Sequence, residues 1–167
     1  MIFRLLNIFD RFFSFTVARA HCDIPCKIYD PIEAQVACLT IIRLNDIIGE
    51  LEENKPNMVK YVSQVSRLTA QKEEHGKIVK EAVRVIWGDY FKTPQIQAHP
   101  EVHELVHGIM LMASKAKQNV DRDAALELLE KVNTFAEIFW KTKEVSTYRA
   151  ICPYPPSVEV VYPDLRD

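Results

Sequence analysis

The sequence predicts an all-α protein, an antiparallel up-down four-helix bundle, and three observations carry that prediction. Four long stretches repeat apolar residues at i, i+3, i+4 and i+7, the period of one helix face and not of a strand. Cap residues mark where these stretches begin. The connections between them are short, which folds sequential helices back on one another.

The first helix opens with Asp30 as N-cap, Pro31 at the first helical position and Glu33 placed for a capping box, and it runs to about Glu53. A break centred on Pro56 ends it. The second runs from about Asn57 to Trp87, with apolar residues at 58, 62, 65, 68, 79, 83 and 86. Gly88 to Gln97, with Pro94 inside, reads as an aromatic-rich connection. Pro100 starts the third helix, which carries Val102, Leu105, Val106 and Ile109 and ends near Lys117. Asp121 caps the fourth, whose stripe is Leu128, Leu129, Val132, Phe135, Ile138 and Phe139. Together with the segment before Asp30, these helices make one domain over 21–145. Residues 146–167 hold Pro153, Pro155, Pro156 and Pro163 among valines, a composition that cannot continue a helix. An extended tail is expected there, lying on the surface or reaching a neighbouring subunit.

Composition sets outer bounds on function. With 167 residues, 48% of them apolar, the chain has enough hydrophobic material for one self-supporting core. The formal charge of −2, with acids and bases interspersed, supplies no basic patch for nucleic acid or an anionic membrane. Arg4, Asp10 and Arg11 interrupt the only apolar candidate for a membrane span. Cysteines at 22, 26, 38 and 152 are too few and too unevenly spaced for a disulfide framework, so reduced thiols and a cytoplasmic location are expected. Residues 1–20 alternate bulky apolar side chains with charges and end in Ala18-Arg19-Ala20, which resembles a cleavage site. They read as a propeptide removed on maturation, with export as the alternative.

Cleavage after Ala20 would make His21 the N-terminus of the run His21-Cys22-Asp23-Ile24-Pro25-Cys26. A free amine and the next amide nitrogen form a five-membered chelate ring suited to square-planar nickel or copper, and thiolates are soft donors to the same metals. The Cys22 thiolate would close a second ring, Asp23-Ile24-Pro25 would reverse the chain, and Cys26 would complete the plane. The His21 imidazole is then placed to bind axially. Anionic donors of this kind stabilise a higher oxidation state of the metal.

The residues from His21 through Pro31 closely resemble the nickel-binding N-terminal hook (residues 21–29 here) of nickel-containing superoxide dismutases. The likeness continues through Trp87-Gly88-Asp89-Tyr90-Phe91-Lys92, Pro100-Glu101-Val102-His103 and Ile138-Phe139-Trp140-Lys141-Thr142-Lys143. It implies disproportionation of superoxide to dioxygen and hydrogen peroxide by nickel alternating between +2 and +3, one nickel ion per subunit, a homohexamer and a processing protease. On the matching positions, His21, Cys22 and Cys26 would bind the metal, Tyr29 and Tyr90 would line the substrate approach, and the backbone around Asp23 would help hold superoxide or water. Where the best-known members carry a Glu and an Arg that orient the axial histidine, this chain has Ala37 and His75. His75 falls in line with Leu68, Val79 and Ile86, and would either hydrogen-bond the His21 ring or be a satisfied core histidine.

Two other readings stand beside this one. The same chelate would serve a nickel- or copper-carrying protein without turnover. His103-Glu104-Leu105-Val106-His107 matches the His-Glu-x-x-His pattern of zinc hydrolases, although a bundle offers no sheet edge to a peptide substrate and an exposed helix face is the better reading. His99 extends that spacing by one helical turn. Cys38 and Cys152 are assigned no metal. Trp87, Trp140, Phe91, Phe135 and Phe139 read as core or subunit-contact aromatics.

Overall fold

The computed structural model describes residues 27–54 and 57–166. Residues 1–20 and the candidate ligands His21, Cys22 and Cys26 lie outside the described residues. Among the described residues five α-helices follow in order: α1 (Ile32–Glu53), α2 (Met58–Val85), a short α3 (Thr93–Ala98), α4 (Val102–Gln118) and α5 (Arg122–Lys141). A π-helical turn, Ile86–Tyr90, extends α2. Two strands close the chain, β1 (Thr147–Ile151) and β2 (Glu159–Pro163).

Side-chain hydrogen bonds accompany several helix starts, with the expected cap formed at Asp121. The start of α1 lies one residue later than expected: Pro31 is its N-cap, without a side-chain bond, Asp30 accepts the Ile32 N–H at 2.8 Å from the preceding position, and among the described residues Glu33 returns no bond. Asn57 accepts from Lys60 N at 3.0 Å and Asp121 from Ala124 N at 2.9 Å. The segment 88–97 differs from the expected connection. Pro94, at the start of a helix rather than within one, is compatible with helical geometry and begins α3.

The four long helices form a closed ring in which α1 and α4 each pack on both α2 and α5. Tyr29 at the start of α1 meets Tyr90 at the end of α2, which meets Phe139 near the end of α5, so α1 runs opposite to both. The core between them includes Ile41, Ile42, Val79, Val83, Ile109, Leu128, Phe135 and Phe139, all fully buried. Each such side chain contributes about 1.5–3 kcal/mol of burial.

The apolar stripe expected along the second helix divides in two. Val79, Val83 and Ile86 are buried, but Met58 and Val62 are exposed, because α4 ends alongside Lys72 and, among the described residues, does not extend over the start of α2. Lys72, only 1% exposed, marks that end: its ammonium donates to the carbonyls of Ala116, Lys117 and Asn119, the unsatisfied C-terminal end of α4. Burial pushes the Lys72 amine below the usual lysine range. Gly76, one turn on, allows the helices to touch; a Cβ there would lie 2.6 Å from Lys117 Cβ.

The tail also departs from expectation: it is an antiparallel hairpin docked on α5, with Ala150 opposite Val160 and Tyr148 opposite Tyr162. Its prolines sit at the ends and in the connecting loop, which includes a cis Pro155–Pro156 bond. Cys152, Val160 and Val161 are buried beneath it. The backbone of β2 that faces away from β1 is satisfied by two buried amides. Gln35 donates to Val161 O at 2.8 Å, and Asn133 accepts from Val161 N at 3.2 Å and donates to Glu159 O at 3.3 Å. Gln35 also donates to Asn133 at 3.2 Å, which closes a latch between α1, α5 and the hairpin. Arg149 adds ion pairs to Glu130, Glu137 and Glu159.

Candidate metal centre

The described part of the candidate centre is an aromatic floor at one end of the bundle. The chain enters it at Lys27, whose φ of 65° is left-handed, a conformation uncommon outside glycine. The bond from Ile32 N–H to Asp30 then fixes the approach to α1, and Tyr29 comes to rest with its ring centroid 6.0 Å from that of Tyr90. Tyr29 and Tyr90, the two expected substrate-approach residues, are therefore neighbours although 61 positions apart.

Tyr90 owes its place to the π turn. Phe91 N–H bonds the carbonyl of Ile86, five residues back, and both side chains are buried. On an α-helix, residues five apart would point about 140° from each other. Widening the turn brings Ile86 and Phe91 into one core and leaves Tyr90 at its rim. The Tyr90 ring packs 4.9 Å from Phe139 and 5.3 Å from Phe91, and Lys143 Nζ stands 4.8 Å from its centroid.

The Tyr90 hydroxyl lies 2.7 Å from Thr142 Oγ1, and Thr142 Oγ1 lies 2.6 Å from the Phe139 carbonyl. A carbonyl only accepts, so the single Thr142 hydroxyl proton goes to Phe139, and Tyr90 is the donor to Thr142. The motif containing Thr142 and Lys143 was legible in the sequence. Their contacts with Tyr90 were not, because those require α2 and α5 to end at the same level.

Beside Tyr29 opens a groove of about 460 Å³, walled by Ile28, Ile32, Ile78, Ala82, Val85 and Ile86 and rimmed by Asp30, Glu33 and Glu81. His75 lies at the edge of the buried line of α2, half-exposed. Its Nδ1 donates to its own helix at the Gln71 carbonyl, 2.8 Å away, which satisfies one nitrogen. Ala37 is buried in the core.

The competing clusters are occupied otherwise. His103, Glu104 and His107 are exposed on α4; His103 Nδ1 accepts the Trp87 indole N–H at 3.1 Å, and His99 pairs with Glu101 at 3.0 Å. No group of three or more His, Cys, Asp or Glu side chains among the described residues is arranged to hold a metal ion. Cys38 and Cys152 are buried free thiols, and burial drives the Cys38 thiol far above the usual cysteine range.

The family model for nickel-containing superoxide dismutase matches residues 16–143, which takes in His21, Cys22 and Cys26 and stops before the hairpin. The nickel superoxide dismutase of Streptomyces coelicolor is 31% identical over 125 residues, 75% of this chain and 89% of the relative. That of Streptomyces seoulensis is 30% identical over the same shares. A solved native nickel superoxide dismutase superposes with a TM-score of 0.64 at 31% identity, covering 74% of this chain and 99% of that one. A structure with nickel ligation corresponding to the oxidized state gives 0.65 at 30% identity, with the same coverage.

Proposed function

The chain belongs to the nickel-containing superoxide dismutase family and is a nickel-dependent superoxide dismutase; from that premise we propose that its metal centre is the hook at residues 21–29, completed by cleavage before His21. The observation that carries this assignment is the disposition of thiols: the two described cysteines are buried in the fold, and the two that precede the described residues stand in a chelating run. The His21 amine and imidazole, the Cys22 amide nitrogen and the thiolates of Cys22 and Cys26 would hold the ion. Bound there, nickel supplies a one-electron couple between +2 and +3, by which superoxide yields dioxygen and hydrogen peroxide.

The chain's own residues shape the approach. Tyr29 and Tyr90 form one wall, backed by the packing of Tyr90 on Phe91 and the buried Phe139. Lys143 puts a positive charge beside it, favourable for an anionic substrate. A homohexamer fits the exposed apolar residues Ile28, just before α1, and Ile32 and Val36, one turn apart on it, which a second copy would cover. The free thiols Cys38 and Cys152 fit a reducing cytoplasm, and no described helix is long and apolar enough to cross a membrane.

Substitution of each ligand set tests the assignment. In the chain trimmed to begin at His21, Cys22→Ser and Cys26→Ser abolish stoichiometric nickel uptake measured by elemental analysis, whereas the double variant His103→Ala/His107→Ala takes up nickel normally. Undiminished nickel in either cysteine variant would overturn the hook as the centre.

A further inference from the structure

We infer that Thr142 is a positioning residue for Tyr90: it takes the phenol proton, so that Tyr90 meets the substrate side as a hydrogen-bond acceptor and is not a proton source for the peroxide product. This rests on the reading of Tyr90 as part of the substrate approach. Three observations carry it.

The first is direction. Thr142 Oγ1 sits 2.6 Å from Phe139 O, which commits its only proton, and 2.7 Å from the Tyr90 hydroxyl, whose proton therefore points at Thr142. The second is polarity. Thr142 is the C-cap of α5, and the chain Tyr90 O–H to Thr142 O–H to Phe139 C=O ends on a carbonyl in the last turn of that helix, where the partial negative charge favours donors over acceptors. A reversed chain, with Thr142 donating to Tyr90, would break the bond to the carbonyl. The third is confinement. The Tyr90 ring is held by Phe91 and Phe139 at 5.3 and 4.9 Å, edge-on or tilted, so the hydroxyl cannot swing to another partner without unpacking the floor. The oxygen lone pairs are what remain for a hydrogen-bond donor on that side, water or the peroxide product.

A double-mutant cycle on the nickel-loaded chain beginning at His21 tests this, with Thr142→Val removing the acceptor at nearly constant shape. Thr142→Val is expected to lower kcat/KM about three- to tenfold, the effect of one misdirected hydrogen bond. Thr142→Ser restores it, and Thr142→Val adds nothing in a Tyr90→Phe background. A second readout is independent of turnover. In the full chain labelled with [ζ-13C]tyrosine, the Tyr90 resonance shifts in Thr142→Val and returns in Thr142→Ser. Additive effects of the two substitutions, or an unmoved Tyr90 resonance, overturn the role of Thr142 while Tyr90 keeps its place. A Tyr90→Phe enzyme with full activity overturns both.

Discussion

Replacing Asn133 by leucine removes the centre of the hairpin latch without a large change of volume. Asn133 is 1% exposed and makes three bonds, accepting from Val161 N and Gln35 Nε2 and donating to Glu159 O. Val161 is also 1% exposed, so its N–H finds no water in exchange, and a buried orphan donor costs about 1–3 kcal/mol. Gln35 keeps its bond to Val161 O and loses one of two, which adds about 1 kcal/mol. Glu159 is exposed, and its carbonyl recovers water at little cost. The leucine returns on the order of 1 kcal/mol through apolar burial. The net loss is about 1–3 kcal/mol, or roughly 3–10 °C in Tm for a chain of this size. Urea unfolding followed by far-UV circular dichroism reads it as a lowered midpoint at constant slope. Hydrogen exchange adds a local readout: the Val161 amide, protected in the parent, exchanges freely in the variant. An unchanged midpoint together with a protected Val161 amide would refute the latch.

Three further outcomes follow from the same geometry. Gly76→Ala, which in an open helix would stabilise by about 1 kcal/mol, is expected to destabilise by about 1–2 kcal/mol, because the new methyl meets the Cβ of Lys117 and not the far end of its side chain; a raised urea midpoint would contradict the helix contact. Cys38, buried and with its thiol held above the ordinary range, stays unmodified by iodoacetamide at neutral pH until the chain unfolds, as peptide mass mapping would show. Lys72→Met exposes carbonyls of the α4 C-terminus to an apolar neighbour and shortens the helix there, read as faster amide exchange over residues 115–119; unchanged exchange would show that Lys72 is not what caps it.

The bundle was legible because its determinants are local. Asp121 announces its helix through a side chain that bonds backbone three residues away, and the stripe of α5 is buried along its whole length. What the sequence concealed depends on distant partners. Met58 and Val62 carry the same periodicity as Val79 and Val83, yet they are exposed because α4 stops at Lys72, a fact of relative helix length. The prolines of the tail ruled out a helix, but only the docking of Gln35 and Asn133 against β2 makes it a hairpin. Of the candidate site, the motif around Tyr90 was readable, whereas the π turn that places Tyr90 beside Tyr29 has no cap or proline to announce it. His75 follows the same rule: its spacing suggested the buried line, and its bond to Gln71 keeps it at the edge.

The most direct test of the central claim compares two chains that differ by one residue: one begins at His21, the other carries a single alanine before it, which turns the terminal amine into an amide. After nickel loading, the electron paramagnetic signal of trivalent nickel and rapid superoxide consumption are expected from the first and absent from the second. Equal signal and equal turnover in both would contradict the role assigned to the His21 amine.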